Sequence, residues 1–79
     1  MVVLASERGD IAEYDVVRLL RDCGAAKAGW VGTALLIHGT PLRACEVEFT
    51  DGQGKTLAVE TVEFRDLDLV VRPNKSEEA

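Results

Sequence analysis

Arg43-Ala44-Cys45-Glu46-Val47-Glu48-Phe49-Thr50 is followed by Asp51-Gly52-Gln53-Gly54, and then by Lys55-Thr56-Leu57-Ala58-Val59-Glu60-Thr61-Val62. The first eight residues alternate. Cys45, Val47 and Phe49 fall on one side, and Glu46 and Glu48 on the other, the pattern of a strand with one face in a core. The link is rich in residues that tight turns require. The last eight residues make the returning strand. Matching the hydrophobic pattern sets the expected register: Phe49 opposite Leu57, Val47 opposite Val59, Cys45 opposite Thr61. The all-β reading of the chain grows outward from this hairpin.

Downstream, Glu63-Phe64-Arg65-Asp66-Leu67 reads as a short 3₁₀ turn. Asp68-Leu69-Val70-Val71-Arg72 reads as a last strand, stopped by Pro73, which lacks the N–H that a ladder needs. Upstream, Trp30-Val31-Gly32-Thr33-Ala34-Leu35-Leu36-Ile37-His38 is a strand without clean alternation. Val31, Leu35 and Ile37 share one parity, Ala34 and Leu36 the other. Either both faces are buried or a bulge near Gly32 switches the parity. Gly39-Thr40-Pro41-Leu42 turns the chain, and Cys23-Gly24-Ala25-Ala26-Lys27-Ala28-Gly29 is a loop.

Residues 11–23 read two ways. Ile11, Tyr14, Val17 and Leu20 recur at threes like a helical stripe, whereas Asp15-Val16-Val17-Arg18-Leu19-Leu20 fits a strand. The β character of everything downstream tips the choice to strand. Five short strands and a 3₁₀ turn before the last predict a small barrel over residues 11–73, because closure removes exposed sheet edges. Residues 1–10 read as an arm or extra strand, and residues 74–79 as a disordered tail.

With 79 residues and a net charge of −5, the chain makes one small acidic domain. A domain this size buries only about 60–65% of its unfolded surface, so a partner surface is a common aid to stability. Two cysteines do not make a disulfide framework and fit reduced thiols in the cytoplasm. The opening residues lack the basic start of a signal peptide, and no apolar run is long enough to span a membrane. The negative balance argues against a nucleic-acid partner.

Four stretches in order resemble a known family: Tyr14-Asp15-Val16-Val17, Lys27-Ala28-Gly29-Trp30-Val31-Gly32-Thr33, Cys45-Glu46-Val47-Glu48-Phe49, and Gly54-Lys55-Thr56-Leu57-Ala58-Val59-Glu60-Thr61-Val62. Together they are similar to the small bacterial domain-of-unknown-function family 4926, over residues 11–73. Trp30 stands where that family often has an acidic residue, and Cys45 where it often has an aromatic. The closing Leu69-Val70-Val71-Arg72-Pro73 is slightly longer than the family's usual ending. The resemblance implies an SH3-like barrel and no characterised activity.

Among candidate functional residues, Glu46, Glu48 and Glu60 are expected on one outer face of the hairpin, with Glu46 opposite Glu60. That arrangement is either a solvated face or a site for a cationic partner. A metal there lacks the oxygen ligands that a hard cation needs. Trp30 reads as a lid on the core or as an interface anchor, with Tyr14 nearby. Only four aromatics exist (Tyr14, Trp30, Phe49, Phe64), too few for a broad peptide groove. Cys45 reads as a small buried hydrophobe and His38 as a surface residue. Cys23 and His38 carry no nucleophile–base spacing, Cys2His1 falls short of a zinc site, and Gly52-Gln53-Gly54-Lys55-Thr56 lacks the first glycine of a phosphate loop.

These readings predict a non-enzymatic protein-interaction module, without cofactor, that self-associates as a homo-oligomer. The run from Val31 to Ile37, with Val62, Leu69, Val70 and Val71, carries more apolar surface than one small barrel needs inside. The interface candidates are Tyr14, Trp30, Leu36, His38, Glu46, Glu48, Glu60 and Val62. The alternative is an acidic accessory protein, antitoxin-like or immunity-like, that binds a basic partner. A small enzyme using Cys23 and His38 ranks last.

Overall fold

The computed structural model describes residues 11–39 and 43–72. The expected arm (1–10), the centre of the Thr40-Pro41-Leu42 turn, Pro73 and the tail (74–79) lie outside the described residues. Five strands, β1 (Val16–Leu19), β2 (Val31–His38), β3 (Ala44–Thr50), β4 (Thr56–Glu63) and β5 (Leu67–Val71), are joined in order, with a 3₁₀ turn (Phe64–Asp66) between the last two. All pairings are antiparallel, in the order β4-β3-β2-β1-β5. The protein is therefore all-β, with the helical turn where the sequence places it. The sheet is open: no β4–β5 ladder closes it among the described residues.

The strand reading holds for Val16–Leu19, whose Val17 and Leu19 are buried while Arg18 is exposed. The residues before it form a turn instead. Asp15 N–H donates to Ala12 O (3.1 Å) and the Asp15 carboxylate accepts from Ala12 N–H (2.8 Å). Closing that turn holds Tyr14 at φ 72°, a left-handed conformation uncommon for a bulky residue.

Asp15 is 1% exposed and is the buried charged residue among those described. Arg72, just past β5, meets it through Nη2 (2.8 Å) and Nε (3.1 and 3.3 Å). The pair fixes the entry of β1 against the exit of β5.

Val17, Leu19, Cys45, Val47, Phe49, Val62, Phe64 and Leu67 form the core on the inner face of the sheet. Trp30 packs on Phe49 at 6.1 Å between ring centroids and 60° between planes. Arg43 lies over the Phe64 ring at 5.5 Å, within cation–π range.

The parity problem in β2 is solved by a bulge between Ala34 and Leu36, not near Gly32 as the sequence reading allows. Gly32 and Ala34 face inward before it and Ile37 after it, which leaves Leu36 outside. Gly32 has a different task. A Cβ there would stand 2.6 Å from Glu48 O and 2.8 Å from Val47 Cγ1, so the glycine permits the close approach of β2 to β3.

The expected hairpin register needs correction. It holds next to the turn, where Thr50 pairs with Thr56, but a bulge at Leu57 then shifts the rest by one residue. Phe49 pairs with Ala58, Val47 with Glu60, Glu46 with Thr61 and Cys45 with Val62. Ala58, Glu60 and Val62 therefore face inward, and Val59 and Thr61 outward. The shift buries Val62 and carries the same parity into buried Phe64. The unshifted register would bury Thr61 in place of Val62, and apolar burial decides between them.

Two outcomes test this account. Arg72→Met is expected to lower stability by about 3 kcal/mol in urea unfolding, because it strands the Asp15 carboxylate away from water. The second concerns Cys45, whose thiol burial, aided by Glu46 and Asp15, pushes up to about 11. The folded state thus holds this proton more tightly than the unfolded one. The associated stability is fully present below the unfolded value and is lost as pH rises through the folded one. Unfolding free energy is expected to fall through that alkaline window, and Cys45→Ala to flatten the fall.

Candidate functional site

Strand alternation separates an inner face, filled by the core, from an outer face on which Ala44, at the end of β3, is buried and most other residues are partly or fully exposed. The registers align one row of residues across all five strands of that outer face: Val59, Glu48, Thr33, Val16 and Val71. A second row sets Leu36 beside Glu46 and Thr61. Arg18 and Val31 are opposite each other in a third. Leu36 (51% exposed), Val59 (51%) and Val71 (53%) stand in solvent, with Leu57 and Val31 also exposed. Single exposed aliphatics are ordinary; here several share one sheet face.

Two of the outer carboxylates, Glu46 and Glu48, are held within this face. Glu46 accepts from Thr61 Oγ1 (2.6 Å) and pairs with His38 Nε2 (3.0 Å). The hydrogen bond from Thr61, and next the one from His38, keep its carboxyl below the usual carboxylate range. Glu48 accepts from the Thr56 hydroxyl. Across β2, Arg18 is opposite Asp68 on β5 yet forms no ion pair among the described residues.

The eight candidates thus divide. Leu36, His38, Glu46 and Glu48 are together on the outer face. Tyr14 joins its edge: it is 55% exposed, and its N–H donates to Ala34 O (2.6 Å) beside the β2 bulge. Trp30 is half-buried and packs against the core, where it serves as a lid. Val62 is fully inside the core and has no surface to offer. Glu60 faces inward from β4, so the expected opposition of Glu46 and Glu60 does not exist.

Glu60 has a structural partner instead. Its carboxylate accepts from Ala25 N–H at 2.9 Å. Gly24, at φ 59°, is packed so closely on that carboxylate that any Cβ would collide with it. Cys23 and Ala26 exchange backbone hydrogen bonds of 2.9 Å, and the Cys23 thiol donates to Thr61 O at 3.6 Å. The β1–β2 turn is therefore clipped onto β4, bridging the open side of the sheet.

Cys23 and His38 share no hydrogen bond. Burial, then Glu60 and Asp66, push the Cys23 thiol up, away from the thiolate that nucleophilic attack needs. Among the described residues no three His, Cys, Asp or Glu side chains come together as metal ligands, and no helix is long and apolar enough to cross a membrane.

Sequence reasoning counted Val71 in the surplus apolar surface but missed Val16, Arg18 and Val59 as members of the face. Alternation flags Val16 and Arg18, which bracket buried Val17. Leu57 and Val59 were hidden by the bulge, because the simple register assigns them to the core.

No curated protein and no solved structure is detectably similar to this chain. A family model described as a domain of unknown function, DUF4926, matches residues 13–69. The match runs from the turn that holds Asp15 into β5 and takes in β1 to β4 whole, so the chain belongs to the DUF4926 family.

Proposed function

We propose that this domain is a non-enzymatic protein-interaction module, an SH3-like barrel in form, that self-associates through the outer face of its sheet. The observation that carries this reading is a set of exposed aliphatics on one face of the sheet, Leu36 on β2, Val59 on β4 and Val71 on β5, with half-buried Val16 directly opposite Val71. A single small domain has little reason to line up such residues toward water, since their burial is worth about 25 cal/mol per Å². The barrel form is supported by three bulges, at Leu35, Leu57 and near Val70, which coil a sheet. It is also supported by the clip from Glu60 and Thr61 to the β1–β2 turn.

A second copy suits this face better than a basic protein does. Glu46 is engaged by Thr61 and His38 of its own chain and Glu60 faces inward, which leaves fewer carboxylates for a basic partner than the sequence suggests. The same carboxylates repel phosphates, which disfavours nucleic acid. The free thiols of Cys23 and Cys45 support action in the cytoplasm.

Leu36→Lys tests the reading, since Leu36 is half exposed and its replacement leaves the core intact. Light scattering over a wide concentration range is expected to show wild-type self-association, weakened about tenfold or more by the substitution. A wild-type protein that stays monomeric throughout overturns it.

A further inference from the structure

The outer face is not electrically uniform. β2 is the middle strand of five. On its β3 side stand Glu46 and Glu48. On its β1 side stands Arg18, exposed and without an ion pair among the described residues. Along β2 itself the outward residues are Val31, Thr33, Leu36 and His38, none of them carboxylate.

From this pattern we infer that two copies stack outer face on outer face about a two-fold axis running along β2, with Arg18 of each protomer against Glu48 of the other. The inference rests on the self-associating reading above and adds its geometry. A two-fold axis in the plane of the contact exchanges β1 with β3, so each acidic strand lies over the basic one of its partner. It sets Val31 on its own copy and Leu36 on its own copy, giving aliphatic contact at the centre. Val16 of one protomer lies over the Glu48 row of the other. Arg18, one outward position along β1 from Val16, reaches that carboxylate diagonally, as aligned sheet packing at about 30° permits.

An axis perpendicular to the strands fits less well. It keeps each strand over its own copy, so Glu46 and Glu48 of one protomer meet the β3 carboxylates of the other. Like charges facing each other across a contact are strongly unfavourable. Asp68 stands opposite Arg18 on β5 and shares its field, but the two form no ion pair, so the Arg18 guanidinium is open to the partner's carboxylate, and the axis sets Asp68 over β4 of the partner. His38, at the β2 end, is occupied by Glu46 of its own chain.

The test is a charge exchange in the full-length chain, read by sedimentation equilibrium at low and high salt. Arg18→Glu and Glu48→Arg singly are expected to weaken dimerisation about tenfold each, and wild-type dimerisation to weaken with salt. The double variant, Arg18→Glu with Glu48→Arg, restores the cross-protomer pairs and is expected to recover affinity to within about threefold of wild type. Glu48→Gln, which keeps an acceptor for the Thr56 hydroxyl, guards against a folding defect and is expected to weaken the dimer with an unchanged circular dichroism melt. A double variant as weak as the product of the singles overturns the axis while leaving self-association standing. A monomeric wild type overturns both.

Discussion

One buried carboxylate sets the terms for the rest of the structure. Asp15 is cut off from water, and a charge in that position is tolerable only when it is paired and hydrogen-bonded. Ala12 N–H and the Arg72 guanidinium supply those bonds. Two residues 57 positions apart are thereby held together, and the chain between them must turn back on itself. The outer strand β5 is locked to β1 not only by its ladder but by this pair at its end. Tyr14 takes its left-handed backbone as part of the same turn.

The second constraint is parity. A strand residue faces in or out by its place in an alternation of period two, and a bulge inverts every place beyond it. Three bulges do this work here. The one in β2 lets Ala34 and Ile37 both serve the core and ejects Leu36. The one at Leu57 exchanges Thr61 for Val62 inside and turns Glu60 inward, where it holds the β1–β2 turn against β4. An inward-pointing charge near an edge strand is also a known guard against edge-to-edge pairing. The outer face with its exposed aliphatics is a by-product of the same inversions, and so that face and the core share one origin.

This coupling explains why the face is built from residues of ordinary type. No glycine loop, metal cluster or catalytic pairing marks it. Its character lies in shared facing: Leu36, Val16, Val59 and Val71 on one side of the sheet, with Glu46 and Glu48 on the β3 side of β2 and Arg18 beside Asp68 on the β1 side.

The sequence by itself determined the class, the number of strands, the position of the 3₁₀ turn, the inward set Cys45, Val47 and Phe49, and the family. Each of these depends on local alternation or turn residues, which leave their mark within a few positions. It also marked Cys45 as a buried thiol, and it left Trp30 open between core lid and interface anchor. Only the tertiary structure decided where the bulges fall, and with them the facing of Leu36, Val59, Glu60 and Val62. A bulge is selected by which side chains fill the core best across strands distant in sequence, so no local window contains it. The Asp15–Arg72 pair was hidden for the same reason: each residue looks like an unremarkable surface charge until the fold brings one to the other and excludes the water between them.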